Sequence, residues 1–396
     1  MTDLETRAAP SRAGALRRAA PALLGYAAVR ALGLIALALW SAARDKSAYT
    51  LLTARWDALW YTRVAELGYG YEVRLANGDV HSNLAFFPLL PWLERLVAAV
   101  SPLSYADGGF LVGLVASLAA AWGIFAVADH VYGRRAGVCA VLLWAVLPVG
   151  IVQSMAYSES LFTALAAWSL YAVLTGRWVT AGTLALLAGL TRPVGVAVVA
   201  AVWVAGIAAF ARQRRAGSSA QERGDADRPG PRTRRVLGML LAPLGTAGYV
   251  LWVGHRTGKG PLGYLDVQAG WRNGFDGGYA FARFVAEKFT SFPSALAGAG
   301  LIAGVASVVW LYVVGVRQRQ PLPLLVYTGV VTALALCASS YFGSKPRLLM
   351  PAFPLLLPLA LALARLRPRR SALVLGPVAV ASAVYGAFWL NGSGPP

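Results

Sequence analysis

Two carboxylates and three cations in this chain occupy positions where ionisable residues are uncommon, and their neighbours suggest a chemistry. Asp57 lies in Arg55-Trp56-Asp57-Ala58-Leu59-Trp60-Tyr61, a polar stretch soon after the first long apolar segment. An acid flanked by aromatics at the mouth of an apolar bundle suits a general base that takes a proton from a substrate hydroxyl. The competing use is a helix-capping or solvated acid beside Arg55. Glu159, in Ala156-Tyr157-Ser158-Glu159-Ser160-Leu161-Phe162, stands at the end of an apolar run, where charge is costly and tends to be functional. Ser158 can equally cap a helix there while Glu159 favours its positive end, and both uses can hold together. Arg192, in Thr191-Arg192-Pro193, is a candidate phosphate ligand. So are Lys345 and Arg347, in Phe342-Gly343-Ser344-Lys345-Pro346-Arg347. Snorkelling of these long side chains to the membrane interface is the alternative.

Gly68-Tyr69-Gly70-Tyr71-Glu72 and Ala85-Phe86-Phe87-Pro88-Leu89-Leu90-Pro91 offer aromatic faces that stack on a sugar or, alternatively, anchor a turn at the interface. Trp56, Tyr61, Tyr69, Glu72, Phe87 and Tyr157 therefore join the four charged candidates as binding residues, with Glu72 otherwise pairing with Arg74. Over 55–67, Trp56, Leu59, Trp60, Val64 and Leu67 recur at helical spacing. The spacing predicts a short helix resting its tryptophan face on the membrane, with Arg63 snorkelling and Asp57 and Tyr61 turned toward the bundle mouth. No phosphate-binding glycine loop, GxSxG elbow or HExxH is present. Cys139 and Cys337 lie in apolar runs, and His81, His130 and His255 are far apart, so no metal ligand set is expected. No cofactor is required, although Asp57 with Glu159 is the pair that could take a divalent ion.

These residues need a scaffold, and the composition defines it. The 396 residues are 58% hydrophobic and 13% charged, whereas soluble domains carry about 25% charge. Mean hydropathy is +0.58. The expected fold is an all-α polytopic membrane protein, one membrane-embedded domain over 1–396. The net charge of +19 is spread between apolar runs and does not indicate a nucleic-acid partner. About eleven transmembrane spans fit: 21–43, 108–131, 136–151, 158–175, 177–191, 193–211, 236–253, 291–316, 321–341, 347–365 and 371–389. Arg7, Arg12, Arg17 and Arg18 ahead of an apolar stretch resemble a secretion signal, but that stretch of roughly 23 residues exceeds a signal core and is interrupted by Arg30. An uncleaved first span is expected.

Basic residues cluster on one face: the arm 1–20, Arg134-Arg135, Arg177, the linker 212–235 with its eight arginines, Arg317, Arg319 and the arginines of 365–370. That face is cytoplasmic by the positive-inside rule. The stretch 216–231, rich in Gly, Ser, Asp and Pro, reads as a linker without packed structure. The outer side then holds the loops 44–107 and 254–290, together with 152–157, the turn at Arg192 and 342–347. This works only if 86–103 does not cross. Leu89 to Val100 makes about 18 Å of helix, too short for a core of about 30 Å. Pro88, Pro91, Glu94 and Arg95 also favour a helix at the interface.

Trp56-Asp57, Gly68-Tyr69, Ala85-Phe86-Phe87-Pro88-Leu89 and Ala156 to Phe162, in this order over most of 20–210, resemble the PIG-V-type mannosyltransferases, the GPI mannosyltransferase 2 family. Pro346-Arg347-Leu348-Leu349-Met350-Pro351-Ala352-Phe353-Pro354 is similar to a late-helix pattern of the wider glycosyltransferase C superfold. The resemblance implies a bundle of about eleven helices with juxtamembrane helices in the first outer loop, among them 86–103. It implies a catalytic acid at Asp57 and a mannose donor carried on a polyprenyl or dolichyl phosphate. Eukaryotic relatives tend to carry an Arg-Ser-Asn-Gly-like motif where this chain has Leu190-Thr191-Arg192-Pro193-Val194-Gly195, which leaves the acceptor open. The alanine- and arginine-rich chain resembles a bacterial, actinobacterial-type member, for which no GPI anchor is expected.

The expected activity is thus transfer of mannose from a polyprenyl-phosphate carrier to a lipid, glycan or protein hydroxyl outside the plasma membrane, with inversion. The N-terminus is expected in the cytoplasm and the C-terminus and site outside. Asp57 serves as base while Lys345, Arg347 and Arg192 hold the leaving phosphate. The alternatives are another hexose or pentose on the same carrier, or a lipid or solute transporter. A transporter is disfavoured because no internal repeat is clear between the two halves and the acids cluster at the outer loops, away from mid-membrane.

Overall fold

The computed structural model describes residues 12–215 and 230–394. Apolar runs punctuated by Gly, Pro and Arg fold into helices: α1 (Arg12–Ala42), α2 (Ala48–Thr53) and α3 (Asp57–Leu67). A hairpin of β1 (Glu72–Arg74) and β2 (Val80–Ser82) precedes α4 (Leu89–Val100), α5 (Tyr105–Tyr132), α6 (Arg134–Ala145), α7 (Ser158–Leu174), α8 (Trp178–Gly189) and α9 (Val196–Arg215). The rest is α10 (Pro231–Leu241), α11 (Leu244–Thr257), α12 (Gly263–Gly270), α13 (Tyr279–Glu287), α14 (Ser294–Arg317), α15 (Leu322–Cys337), α16 (Lys345–Leu349), α17 (Leu357–Arg365) and α18 (Pro368–Leu390).

Every expected span contains helix, but not every helix is long. Among the described residues six segments are long and apolar enough to cross a membrane, or seven if the bent pair Phe342–Leu349 and Phe353–Arg365 counts as one. The shorter α7, α8 and α15 are apolar as well. The expected span 136–151 stops at Ala145, where Pro148 and Gly150 turn the chain into a 3-10 segment, Gly150–Ser154. The span 236–253 is two helices meeting at Ala242-Pro243. The span 347–365 bends by 75° beside Pro351. Of the segments expected to be cytoplasmic, residues 1–11 and 216–229 lie outside the described residues, and the latter include most of the expected linker. Arg17 and Arg18 of the N-terminal arm are helical, and Arg18 pairs with Asp129 at 2.7 Å.

Small residues let the helices approach. A Cβ at Gly182 would lie 2.2 Å from the Gly238 carbonyl oxygen, so α8 and α10 meet backbone to backbone. At the centre Trp144 stacks on Tyr26 at 5.5 Å and donates its indole N–H to the Met350 carbonyl at 3.1 Å. Arg30, buried in α1, donates to the carbonyls of Ala145 and Gly150 and so satisfies the frayed end of α6. The α1 and α18 helices run parallel with their C-terminal ends together, where Asn391 Nδ2 donates to Ser41 Oγ at 3.0 Å.

The segment 44–107 differs from expectation in two respects. The tryptophan face of α3 is partly covered by protein. Trp60 stacks on Phe86 at 5.7 Å and meets the edge of Trp271 at 4.9 Å. Arg63 lies over Tyr71 at 4.8 Å and donates to its hydroxyl instead of snorkelling. Phe86 and Tyr71 come from the same segment as α3 and Trp271 from 254–290, and packing Trp60 among them removes the same apolar surface that lipid would.

Helix α4 has the twelve residues expected of a non-crossing helix, but Glu94 is not at an interface. It is wholly buried against α5, and neither carboxyl oxygen has a hydrogen-bond partner. A Cβ at Gly109 would come within 2.5 Å of Glu94 Oε1, so the Gly108-Gly109 pair makes the room. Burial pushes the Glu94 carboxyl well above the usual carboxylate range. The folded protein therefore keeps this proton over a pH window in which the unfolded chain, titrating near about 4.3, has lost it. Stability contributed by this site is fully present below that value and falls as pH rises toward the raised folded value. Glu94→Gln should abolish this fall: melting curves of the detergent-solubilised protein between pH 5 and 8 should slope downward for wild type and less for the variant. Parallel slopes would show Glu94 to be ionised and compensated.

Candidate active site

Four helix ends bring charge together. Asp57 opens α3, favoured there by the helix dipole, and the preceding Trp56 takes φ of 51° to make the sharp entry. Ser158 and Glu159 open α7. Arg192 sits in the turn between α8 and α9, where Pro193 begins a short 3-10 turn. Arg347 lies in α16, the short arm of the bent helix pair. Arg347 Nη1 donates to Asp57 Oδ2 at 2.7 Å, and its Nε is 3.3 Å from Glu159 Oε1. Arg192 pairs with the same Glu159 oxygen and donates to Ser158 Oγ at 3.2 Å. Ser158 Oγ also shares a 2.7 Å hydrogen bond with the Tyr61 hydroxyl. The ring of Tyr157 lies under the Arg347 guanidinium at 5.1 Å.

The result is a continuous chain of two acids and two guanidinium groups with balanced charge. Its accessibility is graded: the Glu159 side chain is 1% exposed, Arg347 9%, Arg192 13% and Asp57 26%. Asp57 is thus the carboxylate open to a reactant, while Glu159 is enclosed between the two arginines. Burial pushes the Tyr61 hydroxyl above its usual range, so it stays protonated and shares its hydrogen bond with Ser158 as a neutral hydroxyl. Asp57 and Glu159 both face Arg347, which stands where a divalent ion between two acids would stand. Among the described residues no three His, Cys, Asp or Glu side chains group closely enough to hold a metal.

The remaining candidates lie elsewhere. Trp56 is half-buried beside Asp57, with Arg55 over its ring at 4.1 Å. Tyr69 donates to the Phe86 carbonyl at 2.8 Å and meets Trp252 edge-on at 5.0 Å. Phe87 is buried against Tyr249 at 4.3 Å. Glu72 is exposed on β1, opposite Ser82, and makes no ion pair among the described residues. Lys345 does not join the cluster. Its three N–H groups go to the carbonyls of Ala335, Leu336 and Ala338 at 2.9, 3.2 and 2.8 Å, with Phe281 beneath at 4.7 Å. It caps the end of α15, so all its donors are committed and none is left for phosphate.

Two contributors escaped the sequence reading. Ser158, read as a helix cap, is the junction between Tyr61 and Arg192. Arg95, read as an interface marker, donates to the Val64 and Ala65 carbonyls and so holds the far end of the helix that carries Asp57. A polar residue opening an apolar helix was the available signal for Ser158. For Arg95 there was none, because its partners lie thirty residues away.

The many-helix bundle, with α4 too short to cross a membrane, has a polytopic, glycosyltransferase C-like fold. Among solved structures it is similar to ArnT from Cupriavidus metallidurans bound to undecaprenyl phosphate, with a TM-score of 0.51, 14% identity, and 90% of this chain and 62% of that one covered. The chain thus spans less than two thirds of ArnT. The apo state of the same protein matches at 0.48, with 16% identity and 78% and 54% coverage. The archaeal oligosaccharyltransferase AglB from Archaeoglobus fulgidus, in complex with an inhibitory peptide and a dolichol-phosphate, matches at 0.47, with 11% identity and 94% and 56% coverage. At these identities the likeness concerns fold. No protein-family profile matches the chain, and no curated protein does.

Proposed function

We propose that this protein is an integral-membrane glycosyltransferase that moves mannose from a polyprenyl-phosphate carrier to an acceptor hydroxyl outside the plasma membrane. The observation that carries this reading is Arg347 held between Asp57 and Glu159, with Arg192 on the same Glu159. Asp57, the most accessible member, takes the proton of the acceptor hydroxyl. The acceptor oxygen bonds to the anomeric carbon as the bond from that carbon to the phosphate oxygen breaks, so the configuration inverts. The polyprenyl phosphate departs with the bonding pair, and Arg347 and Arg192 stabilise the charge that grows on it. Glu159 keeps both guanidinium groups in place without itself meeting substrate. Lys345 has no part in this scheme.

Mannose and the PIG-V-type assignment rest on the four ordered motifs of the sequence, and the actinobacterial-type assignment on its alanine- and arginine-rich composition. The charge asymmetry supports a cytoplasmic N-terminus, with the C-terminus and the site outside, and the parallel course of α1 and α18 agrees with termini on opposite sides. The acceptor is a lipid, glycan or protein hydroxyl. The test uses protein reconstituted in liposomes with polyprenyl-phosphate-mannose, the corresponding glucose and pentose carriers, and membrane extract as acceptor. Release of polyprenyl phosphate should be fastest from the mannose carrier. Equal release from all carriers would remove the sugar assignment, and release from none would remove the reading itself.

A further inference from the structure

The seam between α1 and α18 holds a feature that the proposed catalysis does not use. Ala36, Trp40 and Arg44 recur every four residues and share one stripe, carried past the end of α1 by Arg44. Val384, Tyr385 and Phe388 form the facing stripe of α18. Pro377, inside α18, removes one helical hydrogen bond at the base of this seam. Two adjoining shallow depressions of about 860 and 440 Å³, open to the surroundings, lie here, both bordered by Trp40 and Val384. The parallel helices are tied at their ends by Asn391 and Ser41, and Trp40 meets Phe388 edge-on at 6.1 Å, so the groove is built into the packing.

Its lining is apolar except at one rim. Arg44 follows directly on the C-terminal end of α1, is exposed, and its guanidinium has no partner among the described residues. Nearby Lys46, also exposed, donates one of its three N–H groups to the Asn391 carbonyl at 2.6 Å. An apolar trough running along a membrane helix accepts any hydrocarbon chain. A single unpaired cation where that trough meets the interface adds a preference for a headgroup with net negative charge.

We propose that this seam binds an anionic glycerophospholipid, its acyl chains lying against Trp40, Val384 and Phe388 and its phosphate at Arg44. The site is separate from the Asp57 cluster and stands whether or not the catalytic reading does. Placing Arg44 at a membrane boundary does not depend on which face is cytoplasmic.

The test is native mass spectrometry of the full chain in detergent, titrated with equal amounts of phosphatidylglycerol and phosphatidylcholine carrying the same acyl chains. Wild type should retain phosphatidylglycerol roughly fivefold over phosphatidylcholine, the preference that about one interfacial cation confers. Arg44→Gln, which breaks no contact in the fold, should bring the ratio toward one by lowering phosphatidylglycerol retention while leaving phosphatidylcholine retention unchanged. Val384→Trp, which fills the trough, should lower retention of both lipids. Equal retention of the two lipids by wild type would overturn the proposal, as would a phosphatidylglycerol preference that survives Arg44→Gln.

Discussion

Arg347→Met should be the most damaging single change in this protein. The substitution keeps an unbranched apolar stem but removes the guanidinium that lies over Tyr157 and between Asp57 and Glu159. Arg347 is nearly buried, and breaking such a pair from one side costs about 3–5 kcal/mol, because the carboxylates left behind are unpaired. Asp57 recovers part of this by hydration, whereas Glu159 retains only Arg192. If the variant folds, transfer should fall by about 10²–10³, the range for removing one donor to a developing anion. Arg347→Lys should recover folding more than activity, since an ammonium is a point charge that cannot bridge two acids as a planar fork does. Thermal unfolding and a liposome transfer assay read the two effects separately. A Met variant that melts and transfers like wild type would show the cluster to be incidental.

The second large effect belongs to Asp57→Asn. The amide keeps the shape of the carboxylate but cannot accept the acceptor's proton. General-base catalysis contributes about 10²–10⁴, so a loss of at least about 100-fold is expected. The fold should tolerate the change. Asp57 is the most exposed member of the cluster, and Arg347 keeps Glu159 as its partner in the variant. Substrate binding should also survive, because in the proposed scheme Arg192 and Arg347 hold the phosphate. With Asp57 no longer competing for Arg347, donor affinity should hold or improve while turnover collapses. A merely structural Asp57 would instead weaken binding and turnover together.

The sequence disclosed helices and charges better than it disclosed their partners. Helix α4 could be placed to its terminal residues because proline and helix length are local facts, readable from Pro88 to Val100. Asp57, Glu159, Arg192 and Arg347 stood out because charge near an apolar boundary is anomalous wherever the chain goes. That they meet could not be read, since Asp57 and Arg347 are 290 residues apart. The same distance hid the fate of Lys345. An outer lysine next to an outer arginine looks like its twin until the end of α15 is seen to present three carbonyls to it. Glu94 was misread for a related reason: acid and base side by side suggest water, but Gly108 and Gly109 on α5 open a niche that encloses the acid. Trp60 looked lipid-facing because the helical stripe of α3 is apolar. Only the fold shows that Phe86 and Trp271 cover it. Local physics fixes what each segment is, and the choice between lipid and protein as its apolar partner is made by residues far along the chain.

The most direct test follows one turnover of polyprenyl-phosphate-mannose on the reconstituted wild type and on Asp57→Asn, with donor binding measured on the same samples. The account predicts polyprenyl phosphate release at least about 100-fold slower in the variant, with donor affinity equal to or tighter than wild type. Release by Asp57→Asn at near the wild-type rate would contradict it.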